Sequence, residues 1–145
     1  MIRVGYLFIL LLFTSCTTGV SLIENDFSSL LHDGNSKVWM IKELIANGSD
    51  SAKKGEIRDL LIFYENGTCI LQSTGEIATQ TGQKASYKAN FAQKTLSISF
   101  PKEKWDFLVE IKSEDEIHLK PIQGTKTNFS LILVPLPELV TINKQ

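Results

Sequence analysis

This sequence carries little with which to build a metal site or a disulfide framework. Its 145 residues include two cysteines, Cys16 and Cys69, and two histidines, His32 and His118. No His-x-x-x-His or Cys-x-x-Cys spacing brings them together, so no metal ligands are expected. Charge of one sign is also missing. Fifteen basic residues against sixteen acidic ones leave −1, which gives no electrostatic footprint for nucleic acid. There is no Gly-x-Ser-x-Gly elbow and no Gly-rich phosphate loop. No catalytic residue and no cofactor are therefore assigned, and the expectation is a non-enzyme. No apolar run reaches the roughly 18 residues that a membrane-spanning helix needs. What is present is ordinary for one globular domain: 43% hydrophobic and 21% charged residues, with only four prolines.

Residues 1–15, MIRVGYLFILLLFTS, form a leader. Arg3 is its basic start, Tyr6 to Phe13 its apolar stretch, and Ser15 the small residue before Cys16. This is the pattern of a secretory signal. Phe13-Thr14-Ser15-Cys16 resembles the lipobox of bacterial lipoproteins, with Phe where Leu is usual. The resemblance implies that Cys16 is the lipid attachment site and the N-terminus of the mature chain, held to a membrane by its acyl chains. Removing the leader takes away one basic residue, Arg3, and moves the balance from −1 to −2. Thr17-Thr18-Gly19 carries no Asp behind the cysteine. By resemblance to lipoprotein sorting rules, that implies an outer-membrane anchor facing the periplasm. With Cys16 lipidated, Cys69 in Thr68-Cys69-Ile70-Leu71 is the lone thiol and reads as a buried small hydrophobe.

Residues 16–24 read as a tether, and 25–145 as the folded domain. Asn25-Asp26 caps a short helix through Leu31, stopped by Asp33-Gly34-Asn35. Beyond it the hydrophobic period is 2, not 3.6. Strands are expected at Val38–Ile45, Ile57–Tyr64, Thr68–Thr74, Gln83–Phe91, Lys94–Phe100, Lys104–Ile111, Glu116–Ile122 and Asn128–Val134. A long polar loop, Ala46–Glu56, follows the first strand. Glu65-Asn66-Gly67-Thr68 predicts a two-residue type I′ hairpin turn. Eight strands joined by short turns imply an all-β, up-and-down barrel with no open edge.

The short helix, the early Trp39, the large first loop and the meander resemble the lipocalin-like fold. Ser36-Lys37-Val38-Trp39 and Leu61 through Thr68 look like the lipocalin-like lipoproteins of Bacteroidetes. The likeness implies a non-enzymatic envelope protein that binds a small apolar ligand or an envelope protein.

The expected inward set is Trp39, Ile41, Leu61, Phe63, Leu71, Tyr87, Leu96, Ile98, Phe100, Trp105, Phe107, Val109, Ile111, Ile117, Leu119, Phe129, Leu131 and Leu133. It holds no Gly or Ala. Such bulk fills a small barrel and leaves at most a modest apolar cavity near one mouth. His32 and His118 are expected in solvent.

Two strands are apolar on both faces. Leu60, Ile62 and Tyr64 oppose Leu61 and Phe63, and Ile132 and Val134 oppose Leu131 and Leu133. The candidate contact residues are Ile62, Tyr64, Ile132 and Val134, covered by the helix, by the tail Leu139-Val140-Thr141-Ile142, or by a partner. The alternative function is an accessory assembly lipoprotein of an envelope machine, such as a Bacteroidetes type VI secretion system.

Overall fold

The structure, a computed structural model, describes residues 26–47, 59–79, 81–90 and 92–136. The leader, Cys16, the tether, the tail and most of the first loop lie outside the described residues. A short helix, α1 (Asp26–His32), precedes eight strands: β1 (Ser36–Ala46), β2 (Asp59–Tyr64), β3 (Thr68–Ser73), β4 (Gln83–Asn90), β5 (Thr95–Ser99), β6 (Lys104–Ser113), β7 (Glu116–Pro121) and β8 (Phe129–Pro135). Each strand pairs antiparallel with the next, and β8 pairs back to β1. The result is the closed up-and-down barrel that the alternation implied. Closure satisfies every strand edge, so no row of free backbone groups is left for a stray chain to pair with.

Inward residues come from alternate positions, and they pack into one core. Trp39, Leu61, Phe63, Cys69, Leu96, Ile98, Phe107, Ile117, Leu119 and Leu133 are wholly inaccessible. Burial pushes the Cys69 thiol up to about 12. The thiolate is the reactive form, so Cys69 is expected to resist alkylating reagents at pH 8 in the folded protein and to react fast in urea. Mass spectrometry of iodoacetamide-treated samples checks this. Prompt labelling without urea would contradict the core placement.

α1 closes one end. Leu31 is fully buried in the core, and its carbonyl accepts a hydrogen bond from Trp39 Nε1 at 3.1 Å. Beside it the Phe63 and Tyr87 rings meet edge to face at 5.0 Å, and Tyr87 Oη donates to the Tyr64 carbonyl at 2.8 Å. His32 is not in solvent as expected. It is 6% exposed, with Nδ1 accepting from Gly34 N at 3.0 Å and Nε2 paired with Ser28 Oγ at 3.3 Å. The ring thereby completes the helix end, where Asp33 and Gly34 take positive φ.

The β2–β3 turn also departs from expectation. Only Gly67 has positive φ, at 82°, and Gly67 N bonds to Tyr64 O at 3.1 Å. This is a three-residue loop, a type I turn closed by a left-handed Gly, rather than a two-residue I′ turn. Asn66 serves through its side chain instead, accepting from Thr68 N at 2.9 Å.

Facing or burial departs from expectation at four places. The register of β1 against β8 shifts between Ile41 and Glu43, and this bulge turns Leu44 inward to pack on the core. Ala85 and Ala89 flank Tyr87 on the inner face of β4 and also pack on the core, so the interior does include small side chains. Ile111 is 48% exposed. The β5 pairing ends at Thr95 against Leu108, so Ile111 runs past its neighbour on that flank. Leu60 points outward yet is 2% exposed. Its register partner Gln72 is also buried, and Gln72 Nε2 donates to the Glu76 carbonyl at 2.8 Å. The 3-10 turn Thr74–Thr79 leads into Gly82, where the chain lies so close to β3 that a methyl group would overlap Ile70 Cγ2 and meet Leu71 O at 3.1 Å. The β3–β4 connection thus covers part of the apolar outer face.

Candidate functional site

The end of the barrel opposite α1 is formed by the β1–β2, β3–β4, β5–β6 and β7–β8 connections. Two of these build a cleft. The turn after β5 is set by Phe100 N bonding to Glu103 O at 2.8 Å. The longer β7–β8 loop turns at Gly124, whose φ is 85°, with Thr125 N and Oγ1 both bonding to Ile122 O. Asp106 ties the two together through its backbone. Its carbonyl accepts from Ile122 N at 3.1 Å, and its N–H donates to the buried Thr127 Oγ1 at 2.8 Å.

Between these loops lies an open cleft of about 760 Å³, lined by Ser99 to Asp106 and Gly124 to Phe129. That volume falls within the range of small-molecule sites. Its floor is aromatic. Trp105 contacts Phe100 at 4.5 Å and Phe129 at 5.2 Å between ring centroids, and Phe107 lies beneath at 5.7 Å from Phe129. Phe107 is fully buried, whereas Trp105 and Phe129 are half-buried. Trp105 was expected inside the barrel; it sits at the inner face of the mouth, where β6 begins and the interior opens.

One polar atom on this floor has no partner. Trp105 Nε1 is shut off from solvent and donates to nothing. A desolvated, unmade hydrogen bond costs roughly 1–3 kcal/mol. Trp39, by contrast, spends its N–H on Leu31 O.

The rim is charged. Lys104 Nζ bonds to Asp106 Oδ1 at 2.8 Å, and Ser97 Oγ donates to the same oxygen. Partial burial pulls the Asp106 pKa up, but the hydrogen bonds from Lys104 and Ser97, with the Lys104 charge, outweigh it and hold the group below the usual value. Lys102 and Lys126 also line the cleft.

The four contact residues chosen from sequence lie elsewhere. Ile62, Tyr64, Ile132 and Val134 all sit on the outer face of the β8–β1–β2 sector. Ile62 lies between Val38 and Ile70, and Val134 beside Met40. All four are half-buried. His118 points outward from β7 as expected, and pairs with Glu116 Oε1 at 2.7 Å. Among the described residues no three His, Cys, Asp or Glu side chains gather at a possible metal site, and no helix is long and apolar enough to cross a membrane. Sequence reasoning allowed a modest apolar cavity near one mouth but assigned no site residue there, because the rim comes from two turns far apart in the chain. The available signal was the pair of aromatics, Phe100 and Phe129, each beside a lysine-bearing turn.

No family model and no curated protein matches this sequence. Among solved structures the chain is similar to a crystal structure of a DUF4847 family protein from Bacteroides vulgatus ATCC 8482. The two are 10% identical, the match covers 73% of this chain and 95% of that one, and the TM-score is 0.48.

Proposed function

We propose that this chain is a non-enzymatic, lipocalin-like lipoprotein of the bacterial envelope, anchored in the outer membrane through Cys16 and facing the periplasm. It binds a small, largely apolar molecule in the cleft between the β5–β6 and β7–β8 loops. The observation that carries this reading is the cleft itself: about 760 Å³, open to solvent, with an aromatic floor. Among the described residues the inward side chains pack into one core, and the mouth offers apolar ring surface at its edge. Burying such rings against a ligand removes apolar area from water at about 25 cal/mol per Å².

The test is binding of the neutral dye N-phenyl-1-naphthylamine to the mature chain without its cysteine, residues 17–145, prepared without detergent. Micromolar binding is expected, weakened about tenfold or more by Trp105→Ala or Phe129→Ala, which is about 1.4 kcal/mol. Ile62→Ser with Ile132→Ser should leave the affinity unchanged. Loss of binding in that outer-face pair, with the Trp105 variant unaffected, would move the site to the outer wall and sink the reading.

A further inference from the structure

We infer that the mouth selects an anionic amphiphile: one free molecule with an apolar body and a carboxylate or phosphate group. This rests on the cleft being the binding site, and it adds the chemistry of the head group. Two ammonium groups at the cleft lack an acceptor, and one further donor is buried behind its floor. Trp105 Nε1 is buried and unpartnered, and indole N–H donates only. Lys102 and Lys126 line the same cleft, and neither has an ion-pair partner among the described residues. The remaining lysine, Lys104, is already neutralised by Asp106 at 2.8 Å. Glu103 is the one carboxylate on the rim without a cation, so two open ammonium groups stand against one open carboxylate. The rim therefore carries a net positive charge on a chain whose overall balance is −1.

The division of labour follows from position. Phe100, Trp105 and Phe129 offer ring surface to the apolar body. Lys102 and Lys126 sit on the two turns at its border, where long side chains keep their charge in water while their stems cover apolar surface. A neutral ligand leaves both ammonium charges uncompensated. A cationic ligand meets like charge. An anion supplies acceptors where donors already stand, and charge-assisted hydrogen bonds are the stronger kind.

The experiment compares decanoate, 1-decanol and decyltrimethylammonium on the mature chain at low and at high salt, read by displacement of the neutral dye and by indole emission. Decanoate is expected to bind at least tenfold tighter than the other two. Salt should erode that preference, since charges at a solvent-facing rim are screened. Lys102→Gln with Lys126→Gln should remove it, bringing the decanoate to 1-decanol affinity ratio at low salt down to about one. Trp105→Phe keeps a ring but drops the donor, and should weaken decanoate more than 1-decanol. Equal affinity for decanoate and 1-decanol, or undiminished preference in the double Gln variant, overturns the inference and leaves the cleft reading standing. If neither the dye nor any of the three probes binds, the cleft reading falls and this inference falls with it.

Discussion

Replacing Trp39 with Ala is expected to cost about 3–5 kcal/mol of stability, the usual loss for a fully buried large aromatic side chain. Trp39 is wholly inaccessible, and its neighbours across the barrel wall, Leu61 on β2 and Pro135 on β8, are fixed by backbone pairing and cannot collapse into the space. The same change deletes the donor to Leu31 O, so the one side-chain bond from β1 to the helix carbonyl is lost. Against a typical domain stability of about 5–15 kcal/mol this is a large fraction. Trp39→Phe separates the two effects. It keeps most of the volume and loses chiefly the hydrogen bond, leaving Leu31 O without its donor, so a cost of about 1–3 kcal/mol is expected. Urea unfolding of both variants, followed by far-ultraviolet circular dichroism, gives the comparison. A loss below about 1 kcal/mol for the Ala variant would mean that α1 and Trp39 do not seal the barrel.

The strand order was legible because the core-facing residues of this barrel are large and their neighbours polar. Leu96, Ile98 and Phe100 against Thr95, Ser97 and Ser99 is alternation that a helix cannot produce. The β5–β6 pairing is then a matter of Pro101 and the turn around it. Where reading failed, a physical reason is at hand. Leu44 is inward because a bulge adds one residue to β1, and a single insertion reverses every later face. Ala85 and Ala89 gave no signal since Ala is small enough to suit either face. Leu60 was assigned outward correctly; it is buried beside Gln72, which the turn Thr74–Thr79 holds through the Glu76 carbonyl, and such tertiary cover has no period. His32 was misplaced because nothing local shows that the Ser28 hydroxyl and the Gly34 amide will hold its two ring nitrogens.

The candidate site was less legible than the fold for a related reason. Sequence patterning marks surfaces that repeat along one element, which is why the two-faced strands at Ile62 and Ile132 drew notice. The cleft belongs to no single element. Its floor takes Phe100 from just after β5, Trp105 from the start of β6 and Phe129 from the start of β8; the β5–β6 hairpin brings the first two together, and the curl of the barrel brings Phe129 to them. The unpartnered indole N–H shows only once its surroundings are built.

Changing Cys16 to Ser is expected to abolish lipid attachment altogether. The case rests on Phe13-Thr14-Ser15-Cys16 and the apolar leader before it. A single acyl chain holds a protein to a membrane only marginally, while each added methylene contributes about 0.8 kcal/mol, so several chains on one cysteine make a stable anchor. Cells fed labelled palmitate should label the natural protein and leave the Ser variant at background. Cys69 cannot take over the role, because it is wholly buried with its pKa pushed up to about 12. Label persisting on the Ser variant would therefore place the lipid elsewhere and refute the lipobox assignment. Binding offers a second readout. The mouth opens at the end of the barrel opposite α1. The Ser variant, freed from the membrane, should bind the dye as the mature chain does, since nothing in the cleft depends on Cys16.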